Sequence, residues 1–278
     1  MILDAMNTPT ITFLGTGADD WDWTDFTPGT PGSTATLVGA TLLIDAGPTV
    51  ARALGPAAAR IRDILVTHSH SDHFRPATIA AIANAAPRRR LRVWGSPQAL
   101  ANIDPALCDL KPILPGAAFR AAGLAITALP ANHVSRDPSE QALHYLLKGP
   151  GMRLLYAIDG AWMRSDARRT LKTALDGKPL TAIVWDATCG ATFDDWRFAE
   201  HNDLRMIASM RNAMLKDGLC SPGTLHVFDH IARTLWPRTP AARKRLAERF
   251  GGILASDGDT LPLPDEVAGG DGRDATLG

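Results

Sequence analysis

The sequence predicts an α/β (α+β) architecture, one domain of mixed sheets covered by helices. Three observations carry the prediction. Short apolar runs recur along the chain, bounded by Gly, Pro, Asn or Asp, as strands are. Stretches with helical apolar spacing fall between them. No linker or internal repeat divides the 278 residues, of which 45% are hydrophobic and 21% charged, so the chain is long enough to bury a large core. The domain is expected over residues 1–263, with 264–278 a disordered Gly/Asp-rich tail.

Ile11 to Leu14 reads as a first strand, stopped by Gly-Thr-Gly, and the Trp- and Asp-rich loop ADDWDWTDFTPGTPGS follows. Thr34–Val38 and Thr41–Ile44 read as a hairpin ending at Asp45-Ala46-Gly47. Val50–Arg60 is alanine-rich and predicts a helix. Arg62–Val66 is a strand that delivers THSHSDHF, residues 67–74. Ala77–Ala85 reads as helix, Leu91–Trp94 as strand and Pro97–Ile103 as helix.

Leu124–Leu129, Ala142–Leu147 and Met152–Ile158 read as strands, the last two joined at Gly149-Pro150-Gly151. Ala161–Leu175 predicts a helix and Leu180–Trp185 a strand ending at Asp186. Leu204, Ile207, Ala208 and Met214 give Asn202–Lys216 a helical spacing. Thr224–Phe228 is a strand, Ala241–Phe250 a basic helix, and Gly252–Leu263 reads as a hairpin turned at Asp257-Gly258.

Composition narrows the function. Lys+Arg and Asp+Glu are both 29, so no basic excess advertises a nucleic-acid partner. Cys108, Cys189 and Cys220 are far apart and form no CxxC, against a disulfide framework or a cysteine-based zinc site. The N-terminal MILDAMNTPTITFLG lacks the pattern of a signal peptide, and no apolar run is long enough to span a bilayer. A cytoplasmic protein without a membrane partner is expected.

The chemistry is in THSHSDHF. His68 and His70 share a face of an extended segment, and Asp72 and His73 follow as the chain turns. Imidazole and carboxylate suit zinc, manganese or iron. Four candidate ligands in one loop are too many for one catalytic metal that keeps an open position. They suit two adjacent ions, each completed from later in the chain.

Six segments together resemble the metallo-β-lactamase-fold hydrolases: FLGTG (13–17), LLIDAG (42–47), THSHSDH (67–73), ANH (131–133), YAIDG (156–160) and DHIART (229–234). The resemblance implies an αββα sandwich of two mixed sheets with the metals at one edge. It also implies ligands residue by residue. His68, His70 and His133 would hold one divalent ion; Asp72, His73 and His230 the other; Asp159 would bridge them. Zn²⁺ or Mn²⁺ is expected, with Fe admissible. His226 competes with His230 for the last position, and His230 is favoured because it follows the strand, where loops carry chemistry.

Within that superfamily the closest motifs are those of the PhnP and ribonuclease Z phosphodiesterases. FLGTG, VWDAT (184–188) and FAEHNDL (198–204) carry that likeness, the last placing His201 before a helix. It implies hydrolysis of a small phosphodiester, cyclic ones included, by a hydroxide bridging the ions. His201 and Asp72 are the residues expected to take part in the chemistry itself. Asp45 and Asp186 are expected to orient metal-bound histidines. Trp21 and Trp23 are expected to stack on substrate. The cysteine-bearing zinc insertion of PhnP enzymes and the basic arm of ribonuclease Z have no counterpart here, which points to a small ester rather than long nucleic acid. Lactone or thioester hydrolysis is the alternative, and a mononuclear iron oxygenase or a non-catalytic metal binder a further one. The first-strand and C-terminal edges offer surfaces for a homodimer, which nothing in the sequence requires.

Overall fold

The computed structural model describes residues 9–24 and 29–264. Strand β1 (Thr10–Gly15) is followed by β2 (Ala35–Val38) and β3 (Leu42–Ile44), which turn at Gly39 with φ 60°. Then come α1 (Val50–Leu54), a 3-10 segment (Gly55–Arg60) and β4 (Asp63–Leu65). Helix α2 (Pro76–Asn84), β5 (Leu91–Gly95), α3 (Pro97–Leu100) and β6 (Cys108–Pro112) complete the first half. The second half opens with β7 (Ala118–Ala121), β8 (Leu124–Val134), β9 (Gln141–Gly149) and β10 (Met152–Ala157). Helix α4 (Ser165–Leu175), β11 (Ala182–Asp186), a 3-10 turn (Trp196–Ala199) and α5 (Leu204–Lys216) follow. Strand β12 (Leu225–Asp229), α6 (Pro240–Arg249), β13 (Ile253–Leu254) and β14 (Thr260–Pro262) end the described chain.

The strands make two seven-stranded sheets, ordered β14-β1-β2-β3-β4-β5-β6 and β13-β12-β11-β10-β9-β8-β7. Both are mixed. Strands β3 to β6 run parallel in the first, and β10 to β13 in the second, while the remaining pairs are antiparallel. Helices cover both outer faces, so the fold is the αββα sandwich that the sequence predicts.

Three apolar layers follow from side-chain alternation. In β11, Val184 points between the sheets with Phe13, Ile44, Tyr145 and Tyr156. Its neighbours Ile183 and Trp185 point outward, against Leu171 of α4 and Ile207, Met210 and Met214 of α5. In the first sheet Leu43, Ile64 and Val93 meet Val50, Ile79 and Ile82 of α1 and α2 in the same way. Strands buried on both faces read as unbroken apolar runs, which is why Ile64-Leu65-Val66 and Leu154-Leu155-Tyr156 show no alternation.

Several local expectations change. The helix expected over 50–60 breaks at Gly55, whose φ of 49° and following Pro56 end the α-helical ladder. The helix expected from Ala161 starts at Ser165, and that expected from Asn202 starts at Leu204, capped by the Asp203 carboxylate on the amides of Arg205 and Met206. Gly252–Leu263 is not a hairpin: β13 pairs parallel with β12 in one sheet and β14 pairs antiparallel with β1 in the other. Strands β6 and β7 are additional to the expected set; CDLKP and AFRA carry little of the β-branched signal of a strand. The tail after Pro264 and residues 25–28 lie outside the described residues.

Candidate metal centre and active site

The candidate ligands all emerge where strands end. β4 delivers the His68–His73 loop, His133 is the penultimate residue of β8, Asp159 lies two residues past β10, and His230 directly follows β12. The carboxyl ends of parallel strands meet a crevice at the sheet edge, the usual place for chemistry in such sheets. The turns are tight enough that Asp45, Asp159 and His230 adopt left-handed backbone with φ of 66°, 56° and 57°. Such conformations are costly for non-glycine residues and collect at functional sites. Gly47 is needed for closeness: a Cβ there would fall on the Asp72 carbonyl oxygen, far inside the 3.0 Å that real Cβ atoms keep.

Three groups of four converge among the described residues, the third being Asp159, Asp186, His201 and His230, and two of them hold the expected ligands. His68, His70, His133 and Asp159 form one; Asp72, His73, Asp159 and His230 form the other. Within each, one ligand atom per residue lies within 4.8 Å of the rest. Asp159 belongs to all three. His68 Nε2 stands 3.2 Å from its Oδ2, and His230 Nε2 stands 3.2 Å from its Oδ1.

The donors fit a cation. His73 gives its Nδ1–H to Asp45 at 2.8 Å, and His230 gives its own to Thr188 Oγ1 at 2.7 Å, whose hydroxyl in turn donates to Asp186. Those contacts engage both Nδ1 atoms and turn the two Nε2 atoms towards each other across 3.1 Å, each also within 3.5 Å of the Asp72 and Asp159 carboxylates. Burial opposes charge on both rings, but Asp72 and Asp159 outweigh it and raise their pKa values, and a divalent cation among these nitrogens and carboxylates would take the place of the protons. His68 Nε2 and Asp159 Oδ1 are buried without a hydrogen-bond partner. Burial holds the His68 pKa well below its usual value, so the imidazole is neutral and free to coordinate. Burial opposes the charge of Asp159, but the surrounding histidines, His230 and His73 first, outweigh it and hold the carboxyl well below the ordinary range.

Behind the ligands stands a frame of hydrogen bonds. Asp45 also accepts from the amide and hydroxyl of Thr67, at 2.8 and 2.9 Å. Glu140 accepts from Ser69 and Ser96, and Tyr145 donates to the Val66 carbonyl at 2.6 Å. Asp186, expected to orient a metal-bound histidine, instead accepts from His201 Nδ1 at 2.8 Å and reaches His230 only through Thr188. Burial pushes the His201 imidazole down, yet the Asp186 carboxylate more than offsets this and raises its pKa to about 9.

A cavity of about 480 Å³ opens over the cluster. His70, Asp72, His133, Asp159, His201 and His230 line it, with Arg136, Trp196 and Arg197 towards the mouth. Trp21 and Trp23 do not line it. Their indole N–H groups are taken by the carbonyls of Ile231 and Pro31, both at 2.8 Å, and Trp23 faces a separate cavity beside Pro31 and Arg52. His226 lies on β12 at the far end from His230, where its Nδ1 accepts from the Trp185 indole at 3.1 Å.

Sequence reasoning missed Thr188, Glu200, Arg136 and Trp196. Glu200 sits 3.5 Å from His133 Nδ1 and also accepts from the Val134 amide. Its place beside His201 in FAEHNDL was the available signal. Thr188 closes VWDAT, already singled out for Asp186.

A family model described as a β-lactamase superfamily domain matches residues 40–192, more than half of the chain. The chain belongs to that superfamily. With its ligand set, it is a metal-dependent hydrolase of the metallo-β-lactamase fold. The solved metallo-β-lactamase-fold protein YhfI from Bacillus subtilis superposes with TM-score 0.68 at 16% identity, over 91% of this chain and 98% of its own. Zn²⁺-bound PqqB from Methylobacterium extorquens gives 0.68 at 17%, over 91% and 100%. A diphosphatase of the PhnP family gives 0.67 at 17%, over 93% and 100%. At such identities what is shared is the fold. No curated protein sequence matches the chain. Among the described residues no helix is long and apolar enough to cross a membrane.

Proposed function

We propose that the protein is a dinuclear phosphodiesterase acting on a small phosphodiester, cyclic ones included. The observation that carries the reading is His201. It lines the same cavity as both ligand groups and is held through Nδ1 by buried Asp186. Two divalent cations, Zn²⁺ or Mn²⁺, held by the two groups that share Asp159, would supply an activated water and neutralise phosphate oxygens.

The chain's own residues do the rest. The Asp186 carboxylate takes Nδ1–H, fixing the ring and leaving Nε2 to hold a proton for the leaving alkoxide. Arg136, exposed and without a partner among the described residues, adds a cation at the mouth for an anionic substrate. Asp72 belongs to the ligand set, and its place in the chemistry is to hold that cation beside the reacting phosphate. A volume of about 480 Å³ suits a nucleotide-sized molecule better than a folded RNA.

The test pairs metal content with hydrolysis of bis-p-nitrophenyl phosphate. About two metals per chain are expected, with turnover falling ~10²–10⁴-fold in His201→Ala while metal is retained. Two metals with no phosphodiester turnover in the wild type would redirect the assignment to lactones or thioesters. One iron and no hydrolysis would sink the hydrolytic reading.

A further inference from the structure

We propose that Trp196 is a stacking platform for a planar aromatic ring on the non-reacting half of the substrate. The substrate class is then a nucleoside or other aryl phosphodiester rather than an alkyl one, an inference that rests on the phosphodiesterase reading. Trp196 is 74% exposed, more than any other large apolar side chain among the described residues, yet it is a wall of the cavity that holds His70, His133 and His201. An indole so exposed contributes little to packing, and apolar surface bared at a cavity marks a binding site.

Its hydrogen bonding sets it apart. The indole N–H groups of Trp21, Trp23, Trp94, Trp185 and Trp236 each donate to an acceptor within the chain. Among the described residues only Trp162 and Trp196 have none, and Trp162 does not line the cavity. A buried indole usually finds a partner for its N–H; the Trp196 indole keeps its face and its N–H open to a ligand.

The platform is rigid. Trp196 opens a 3-10 turn whose N-terminus is capped by Asp195 on the Arg197 amide at 3.0 Å. The Arg197 guanidinium returns to the same carboxylate at 2.8 Å, and the Arg197 carbonyl accepts from the His201 amide at 2.8 Å. Trp196 and His201 are therefore two ends of one pinned segment. A ring stacked on the first places its phosphate near the second with little ordering cost. Glu200, which also lines the cavity, bonds the Val134 amide and so ties this segment to the one that carries His133.

The test is equilibrium binding to the metal-loaded full chain by calorimetry, with adenosine 5′-monophosphate and ribose 5-phosphate as probes. The nucleotide is expected to bind about 5- to 150-fold more tightly, the range for one stacked base. Trp196→Ala should collapse that ratio towards one, and Trp196→Phe should keep most of it. Equal affinities in the wild type, no nucleotide binding, or a ratio that survives Trp196→Ala would each overturn the proposal. So would a concentration-dependent dimer abolished by Trp196→Ala, which would make the indole a self-association contact. Because binding is read without turnover, loss of the phosphodiesterase reading with the ratio intact would be told apart from loss of this one.

Discussion

His226 tests whether the structure assigns the two candidate histidines of β12 correctly. It is buried, 8% exposed, with Nδ1 accepting from the Trp185 indole. Burial first, and the Arg211 charge second, lower its pKa from 6.5 to about 4. The folded protein therefore binds fewer protons there than the unfolded chain. Stability is fully present above pH 6.5 and is lost as pH falls from 6.5 towards 4. The shift corresponds to ~2–3 kcal/mol at pH 4, discounted for residual solvent contact. His226→Gln removes the titration and retains an acceptor for the indole. Urea unfolding of both proteins at half-unit steps from pH 8 to pH 4 reads the difference. It should move in favour of the variant by ~2–3 kcal/mol across that range. A difference that stays flat would mean that His226 is charged or solvated in the fold, and the reasoning would fail. Metal content unchanged in the variant separates it from His230.

Three further outcomes are expected. Thr188→Val removes the acceptor of His230 Nδ1–H and should weaken metal binding ~10–100-fold, read by competition with a chromogenic chelator. Gly47→Ala drives a Cβ into the Asp72 carbonyl, so it should cost more than ~4 kcal/mol in chemical unfolding or abolish metal uptake outright. Metal removal with a chelator should lower the melting temperature, since metal at ~1,000 times its Kd contributes ~4 kcal/mol; an unchanged melt would deny that the two buried groups hold it.

The site was legible where its residues crowd together. THSHSDHF places three histidines and an aspartate on one loop, and no structural role needs that density. Asp159 alone looks like a turn residue, and its φ of 56° fits one; only the cluster around it marks it as a candidate ligand. What failed were inferences from local signals to distant partners. Trp21 and Trp23 share a loop and a spacing, but the carbonyls that claim their N–H groups, those of Ile231 and Pro31, carry no signature in the sequence. Trp196 lies between Phe193 and Phe198 at neither a helical nor a strand period, so periodicity says nothing of it. Asp257-Gly258 is a sound turn signal, and a turn is there. Periodicity cannot say that the two arms of a turn belong to different sheets.

That last connection has a consequence for how the chain is made. Thr12 of β1 meets Thr260 of β14 across 248 residues of sequence. At ~5–20 residues per second, a nascent β1 waits about 12–50 s for its outer neighbour to be synthesised. Throughout that time its edge is an open template for pairing with another chain. The sheet begun first is thus the one finished last, by the same short segment that also edges the second sheet through β13. A late clasp of this kind makes long-range closure the slow step in assembly of the fold.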